Sequence, residues 1–548
     1  MPHLSPPTGD AQPTRLPASG ARNAPLSASR RLPRLALALL LPFLALALLV
    51  SCVPNFARPP RLAAPTVDSA SIGGGETEPL LLPAPTATGE PMTADGTTAQ
   101  QQPFNPTVTL WVNRSSPRYD AALREMIDGF SATHNVHVEL VTIAPDLLPD
   151  LVRQAAVSDT TRLPDIVVFP LEYAVGWARR GILDPSAAQA VVDSLDPQTF
   201  NQEALNLVSV DGQPAAIPSD GWQQLLLYRS DWFEESGLQP PDTFEHMLTA
   251  GEVISDRVNL IYSFNMPTES SLRATTLAFE QMAIANGCQL VDAAGELHIL
   301  SAACRDTLAY YRLLCNTFCP PGVQTEVSAL NSYLSGRTGM IIASPTVLPA
   351  IAGLDEDYHP SCPECESPGY LAANTAIVTT LSGRSPQAAP QNLGEIAYLG
   401  ITTGANQEAA AAFARYWFEE GYLTWLGVEP EGKVPMRLGT AQEPRAYADA
   451  WFELPFGGGD QTLGDIFGPQ LAETLSRDVV NPHRWGYSQG QGQLITAIYE
   501  ELTFSILLQE LLSGYYDSDR AAIEGYKRLV DLIPNYQFYV DPEPTPES

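Results

Sequence analysis

The chain has 548 residues, 45% hydrophobic and 17% charged, so it is long enough for several domains and too apolar to be disordered throughout. Sixty-two Asp plus Glu against 30 Lys plus Arg give a net charge of −32, which repels phosphate backbones and anionic lipid and argues against nucleic acid as a partner. The 49 prolines are uneven, with 18 of them in residues 1–106. Head and body are different materials. Arg30, Arg31 and Arg34 precede Leu35–Val50, an apolar run shorter than the roughly 20 residues that span a membrane. A basic stretch, a short apolar stretch and then Ser51 and Cys52 is the layout of a secretory signal peptide.

Leu49-Val50-Ser51-Cys52 resembles the bacterial lipobox, whose Cys is lipidated and becomes the first mature residue. The competing reading is a short anchor helix with an incidental Cys. Both export the body, and the first anchors it by Cys52 to the outer face of the cell membrane. Loss of residues 1–51 removes five Arg and one Asp, a net +4, and leaves −36. Residues 52–106 are rich in Pro, Ala, Thr, Gly and Ser, without periodicity, and cannot bury enough surface to offset their ordering entropy. They read as a tether with a reach of roughly 40 Å.

In the body, Val108, Leu110 and Val112 alternate as a strand over 107–113. Ser116-Pro117 starts a helix that carries Leu123, Met126, Ile127 and Phe130. Val136, Val138 and Leu140 form a second strand, 145–158 a helix, and Ile166 to Phe169 an all-apolar strand buried on both faces. That order predicts an α/β fold with a parallel sheet. Further strands are expected at 223–228, 340–343, 372–379 and 396–402. Helices are expected at 231–236, 242–255, 270–286, 302–316, 408–425, 440–452, 464–476 and 489–513, and there is no internal repeat.

Asp211-Gly212-Gln213-Pro214-Ala215-Ala216-Ile217-Pro218, Leu225 to Tyr228, Asp231 to Leu238 and Pro240-Pro241-Asp242-Thr243-Phe244 resemble one continuous segment of the extracellular solute-binding proteins of ABC importers, in their maltose-binding-like, sugar-binding branch. Pro164-Asp165-Ile166, Gly336 to Met340 and Ala409 to Phe413 fit the same order more weakly, so the resemblance covers about 107–513. Arg229-Ser230 replaces the family's Asn-Lys, and Ser344-Pro345-Thr346 stands where a Trp is usual. The resemblance implies a two-lobed periplasmic-binding-protein-like fold with a hinge and an interlobe cleft. It places lobe one at 107–212 plus 370–430, lobe two at 219–369 plus 431–540, and a disordered tail at 541–548. It also implies a monomeric binding protein, not an enzyme, that uses no cofactor or metal and delivers its solute to permease subunits.

Ligands of open α/β sheets bind beyond the carboxyl ends of the strands. A sugar needs flat aromatics and planar polar groups, for which Trp111, Phe169, Tyr173, Trp222, Trp485 and Tyr487, with Asn113, Arg114, Ser115, Glu172, Ser219, Asp220, Ser344 and Gln489, are the candidates. Trp111 and Phe169 equally suit a core, and Arg114 and Glu172 a solvated surface. A neutral sugar or a cation suits the acidic chain better than an anion. A hydrolase acting on polysaccharide needs only two carboxylates, but no His-Glu-x-x-His, Walker loop or Ser-x-x-Lys is present. A solute sensor is equally compatible with the sequence.

Beyond Cys52, the six cysteines Cys288, Cys304, Cys315, Cys319, Cys362 and Cys365 suggest disulfides in an exported body. Cys288 and Cys304 flank a hairpin and form the most natural pair. Cys315-x3-Cys319 with Cys362-x2-Cys365 also has the inventory of a zinc site, against which stand the long spacer and an oxidising compartment. Asp355-Glu356-Asp357 lacks the pattern of a calcium loop.

Overall fold

The computed structural model describes residues 106–536 apart from 115, 159, 161 and 480–482, all within the unit Ala99–Ser548. The signal peptide, Cys52, nearly all of the tether, Ser115 and the 541–548 tail lie outside the described residues. The first strand, Thr107–Val112, alternates as expected, with Val108, Leu110 and Val112 fully buried. The following helix, Pro117–His134, opens with the Ser116 hydroxyl accepting from the Tyr119 amide and closes on Asn135 in the left-handed region. Leu123, Met126 and Phe130 line its buried face, each contributing about 1.5–3 kcal/mol by leaving water.

Two sheets organise the body. The first runs in the order Val434–Pro435, Ile217–Gln223, Gly394–Ile401, Ile166–Pro170, Thr107–Val112, His137–Thr142. Its Thr107–Val112 strand is parallel to both neighbours, while Gly394–Ile401 runs antiparallel to Ile166–Pro170 and to Ile217–Gln223. The second is Thr375–Val378, Leu225–Arg229, Thr338–Ala343, Tyr262–Asn265. The chain crosses between the sheets at Gln224, over 379–393, and again beyond Pro435, where it leaves for C-terminal helices that pack on Arg273–Ala285 and Ala302–Phe318. The α/β fold with two lobes and crossing segments is therefore present.

The crossings shift the expected lobe limits. Trp222 pairs with Glu395 in the first sheet, yet Leu225 pairs with Ala343 in the second, so Ile217–Gln223 belongs to lobe one. Thr375–Val378 pairs with Leu225–Arg229 in lobe two, and Val434–Pro435 with lobe one. Apolar runs in a sequence announce strands but not their partners. At the first crossing Gly221 has no room for a side chain, because a Cβ there would lie 2.9 Å from the Glu395 carbonyl oxygen and 3.0 Å from Val479.

Three long helices expected from periodicity are each broken. The 489–513 stretch divides into Gly492–Glu500 and Thr503–Leu512 around Leu502, at φ 49°. The 464–476 stretch divides at Gly468-Pro469, where proline can start a helix but not continue one. The 408–425 stretch divides into Gln407–Phe418 and Tyr422–Leu426. The strand Tyr262–Asn265 was not expected. Among the described residues no helix is long and apolar enough to cross a membrane.

Cys288 bonds Cys304, and Cys362 bonds Cys365. Cys315 and Cys319 are free and buried, which corrects the expectation that all six are bridged. They sit at the C-terminal end of the helix Ala302–Phe318. The four-thiolate zinc inventory is dissolved by the Cys362–Cys365 bond. Replacing both Cys288 and Cys304 by Ala is expected to lower stability by about 3 kcal/mol, from release of the 16-residue separation in the unfolded chain. Urea unfolding of variant and wild type under oxidising conditions measures it, and equal midpoints would show that the bridge adds no stability.

Candidate cleft between the lobes

A cavity of about 440 Å³ opens between the two lobes, with a recess of about 20 Å³ running toward lobe one. Arg114, Tyr119, Trp222, Arg273 and Thr346 line both. Lobe one supplies Arg114, just past the carboxyl end of Thr107–Val112, Tyr119 from the first turn of the helix beyond it, and Trp222 from the crossing strand. Lobe two supplies Arg273 at the start of its helix, Ser344 and Thr346 after the strand Thr338–Ala343, and Glu326, Asp355 and Tyr358.

The recess has a cationic back wall. Lys433, buried, donates from Nζ to the Trp425 carbonyl at 2.9 Å, with Nζ 3.6 Å from the Trp425 ring centre and 4.1 Å from that of Tyr119. Burial lowers its pKa to about 7, against the pull of Asp220 and Glu429. Asp220 accepts from the Ser219 hydroxyl at 2.7 Å and from Trp425 Nε1 at 2.6 Å. Tyr119 donates to Glu429 at 2.9 Å. Two residues along, Glu431 is buried with neither carboxyl oxygen hydrogen-bonded, and burial raises its pKa to about 8. It is mostly a neutral acid at pH 7.

A buried ion chain links the lobes beside this wall. Arg273 of lobe two pairs with Glu172 and, at 3.3 Å, with Glu395, both in lobe one. Glu395 also accepts from Arg484 at 3.1 Å, and Arg484 donates to Glu280 of lobe two at 2.9 Å. Trp485 N–H and Tyr499 O–H add donors to Glu280 at 2.8 and 2.6 Å. Burial alone would raise the Glu395 pKa, but Arg484 and Arg273 hold it below the ordinary carboxylate range. Glu172 goes the other way, with burial raising its pKa to about 7 against Arg273.

Of the residues expected to meet a ligand, the structure brings Asn113, Arg114, Asp220, Trp222 and Ser344 into this cleft. It does not bring the other described ones. Phe169 is core, packed on Trp177 at 4.9 Å between ring centres, and Tyr173 stacks on the same Trp177 at 5.1 Å. Trp111 packs against the core as well. Ser219 is buried behind Asp220, and Glu172 reaches the cleft only through Arg273. Trp485, Tyr487 and Gln489 line a different cavity. Tyr119, Arg273, Trp425 and Lys433 were missed. Lys433 did carry a signal, being one of only two lysines in the chain and followed directly by an apolar pair.

Residues 125–452 match the family model of the bacterial extracellular solute-binding proteins. The chain belongs to that family. An Escherichia coli (strain K12) protein named as an ABC transporter periplasmic-binding protein, YcjN, is 26% identical over 192 residues, 34% of this chain and 44% of that relative. The lactose-binding protein of Rhizobium radiobacter is 26% identical over 27% of this chain and 35% of its own length. The chain thus matches less than half the length of these curated relatives. A sugar transporter protein of Arthrobacter chlorophenolicus A6, solved with bound laminaribiose, superposes with a TM-score of 0.61 at 16% identity, covering 78% of this chain and 99% of that one. At that identity the likeness shows the shared fold.

Glu431 makes stability pH-dependent in a definite sense. Its folded pKa of about 8 exceeds the unfolded value of 4.5, so the folded state holds the proton more tightly. The resulting contribution is full below about pH 4.5 and lost as pH rises through 8. Glu431→Gln, neutral throughout, is expected to gain stability relative to wild type from pH 5 to pH 8, by at most about 1.4 kcal/mol per unit. Urea midpoints at both pH values check this, and a pH-independent difference would contradict the burial of an unpaired acid there.

Proposed function

We propose that the protein captures a small neutral carbohydrate, a sugar or short oligosaccharide, between its lobes and delivers it to the permease of an ABC transporter. The carrying observation is the cleft itself. It lies past the carboxyl end of the first strand, where open α/β sheets bind ligands, and its two walls belong to different lobes. A solute touching both walls favours the closed arrangement over the open one, and a permease that recognises the closed form reads that shift.

The lining chemistry supports a polyhydroxyl ligand. Trp222 offers a ring for a CH face, and Arg114, Arg273, Asn113 and Asp220 offer fixed donors and acceptors for hydroxyls. Arginines and carboxylates, and so charges of both signs, share the walls, which suits a neutral solute better than an anion. Disaccharides in the names of the lactose-binding relative and the laminaribiose-bound structure point the same way. Lipidation of Cys52 would hold the body at the outer membrane face on its tether, within reach of a permease.

Titration calorimetry of the body with lactose, laminaribiose and other mono- and disaccharides tests this. At least one should bind near 1 μM, about −8.2 kcal/mol, and be recovered intact. Trp222→Ala should weaken it about 10- to 100-fold. Cleavage of the sugar would instead make the protein a hydrolase, and binding unaffected by Trp222→Ala would put the ligand elsewhere.

A further inference from the structure

A second cavity, of about 550 Å³, lies where the chain crosses between the lobes and shares no lining residue with the cleft. Its walls come from three places. Lobe one gives Leu207, at the end of the helix Gln202–Leu207; lobe two gives Gln289, inside the loop closed by the Cys288–Cys304 bond, and Gln489, in the turn before the helix Gly492–Glu500; the crossing segment 379–393 gives Gln387 and Gln391. This is where Trp485 and Tyr487 stand, each anchored by its polar tip, Trp485 to the Cys288 carbonyl at 2.9 Å and Tyr487 to the Leu171 carbonyl at 3.1 Å.

Four glutamine amides around one cavity form an uncommon lining in a chain this acidic. An amide both donates and accepts and carries no charge, so the four match hydroxyl groups, with the ionisable Glu203, His483 and Arg484 lining the same cavity. The site also has unspent hydrogen-bonding capacity: Gln391 Oε1 is buried without a partner, as is one terminal nitrogen of Arg484, another lining residue. We propose that this cavity is a second binding site, for a neutral polyhydroxyl solute, and that its occupancy is coupled to the cleft.

The coupling has a physical carrier. Arg484 lines the second cavity and binds Glu395, Glu395 lines the cleft recess, and Arg273, which lines both parts of the cleft, binds the same carboxylate. Because the second cavity is walled by both lobes and by the crossing segment 379–393, an occupant fixes their relative angle. That angle also sets whether the cleft walls can meet a solute, so the two affinities are reciprocally linked.

The existence of the second site is independent of the function proposed above, whereas the coupling rests on it. The test is calorimetry with D-mannitol, maltose and lactose as probes, up to about 1 mM, on wild type, Trp222→Ala, Gln391→Leu and the cavity-filling Leu207→Trp. Trp222→Ala should retain binding of at least one probe, and adding either second-cavity substitution should weaken that binding at least 10-fold. In the Trp222-intact protein, Leu207→Trp should change the cleft affinity about 5-fold or more. Residual binding in Trp222→Ala that neither Gln391→Leu nor Leu207→Trp alters overturns the second site, as does one equivalent of sugar abolished by Trp222→Ala alone, which leaves the cleft reading standing. Two sites with unchanged cleft affinity overturn the coupling.

Discussion

The buried chain Glu172, Arg273, Glu395, Arg484, Glu280 is the interaction around which the rest of the body is arranged. Ions taken out of water cost several kcal/mol each unless matched closely. Here three carboxylates face two guanidiniums, with further donors from the Trp485 amide, the Tyr499 hydroxyl and the Leu171 amide. The matching is incomplete, since one Glu172 oxygen and one Arg484 nitrogen stay unpaired. A stability-driven design would place hydrophobic residues there. The retained charges fix which side chains of the two lobes face each other at the crossing strands, and they do so with bonds that are directional where apolar packing is not.

From that chain the cleft inherits its geometry. Arg273 is drawn to Glu172 and Glu395 and so stands in the cavity wall, opposite the lobe-one groups Arg114, Tyr119 and Trp222. Behind them Lys433 is held by two aromatic faces and a backbone carbonyl, while Asp220 is held by Ser219 and Trp425. Side chains locked in this way lose little freedom when a solute binds, which preserves affinity. The same packing leaves Lys433, in the recess wall, and the buried Glu431 behind it with pKa values of about 7 and about 8, so the charge behind the cleft changes near neutral pH.

Local signals were legible in the sequence and distant pairings were not. The alternation of Val108, Leu110 and Val112, the Ser116-Pro117 helix start and the Cys288–Cys304 hairpin depend on neighbours within a few residues or one loop, and each was read correctly. Asn113, Arg114 and Ser344 line the cleft because they follow strand ends, while Asp220 and Trp222 reach it from within the crossing strand Ile217–Gln223. Arg273 was missed because its partners are 101 and 122 residues away, and nothing local distinguishes it from a solvated arginine. Trp485 and Tyr487 were expected at the ligand because large rings in a loop just before a helix suggested platforms, and the structure places them outside the cleft. They are anchored beside a different cavity, through contacts with Cys288 and Leu171.

The family match and the fold set the frame, but the ion chain is what makes the lobes and both cavities one system. A double-mutant cycle on stability, with Arg484→Met, Glu280→Gln and the pair, tests that most directly. Each single change should cost about 3–5 kcal/mol by stranding a buried charge, and the pair should cost less than the sum by 1 kcal/mol or more, since coupling between contacting groups runs about 0.5–3 kcal/mol. Single costs below about 0.5 kcal/mol, or strict additivity, would contradict it.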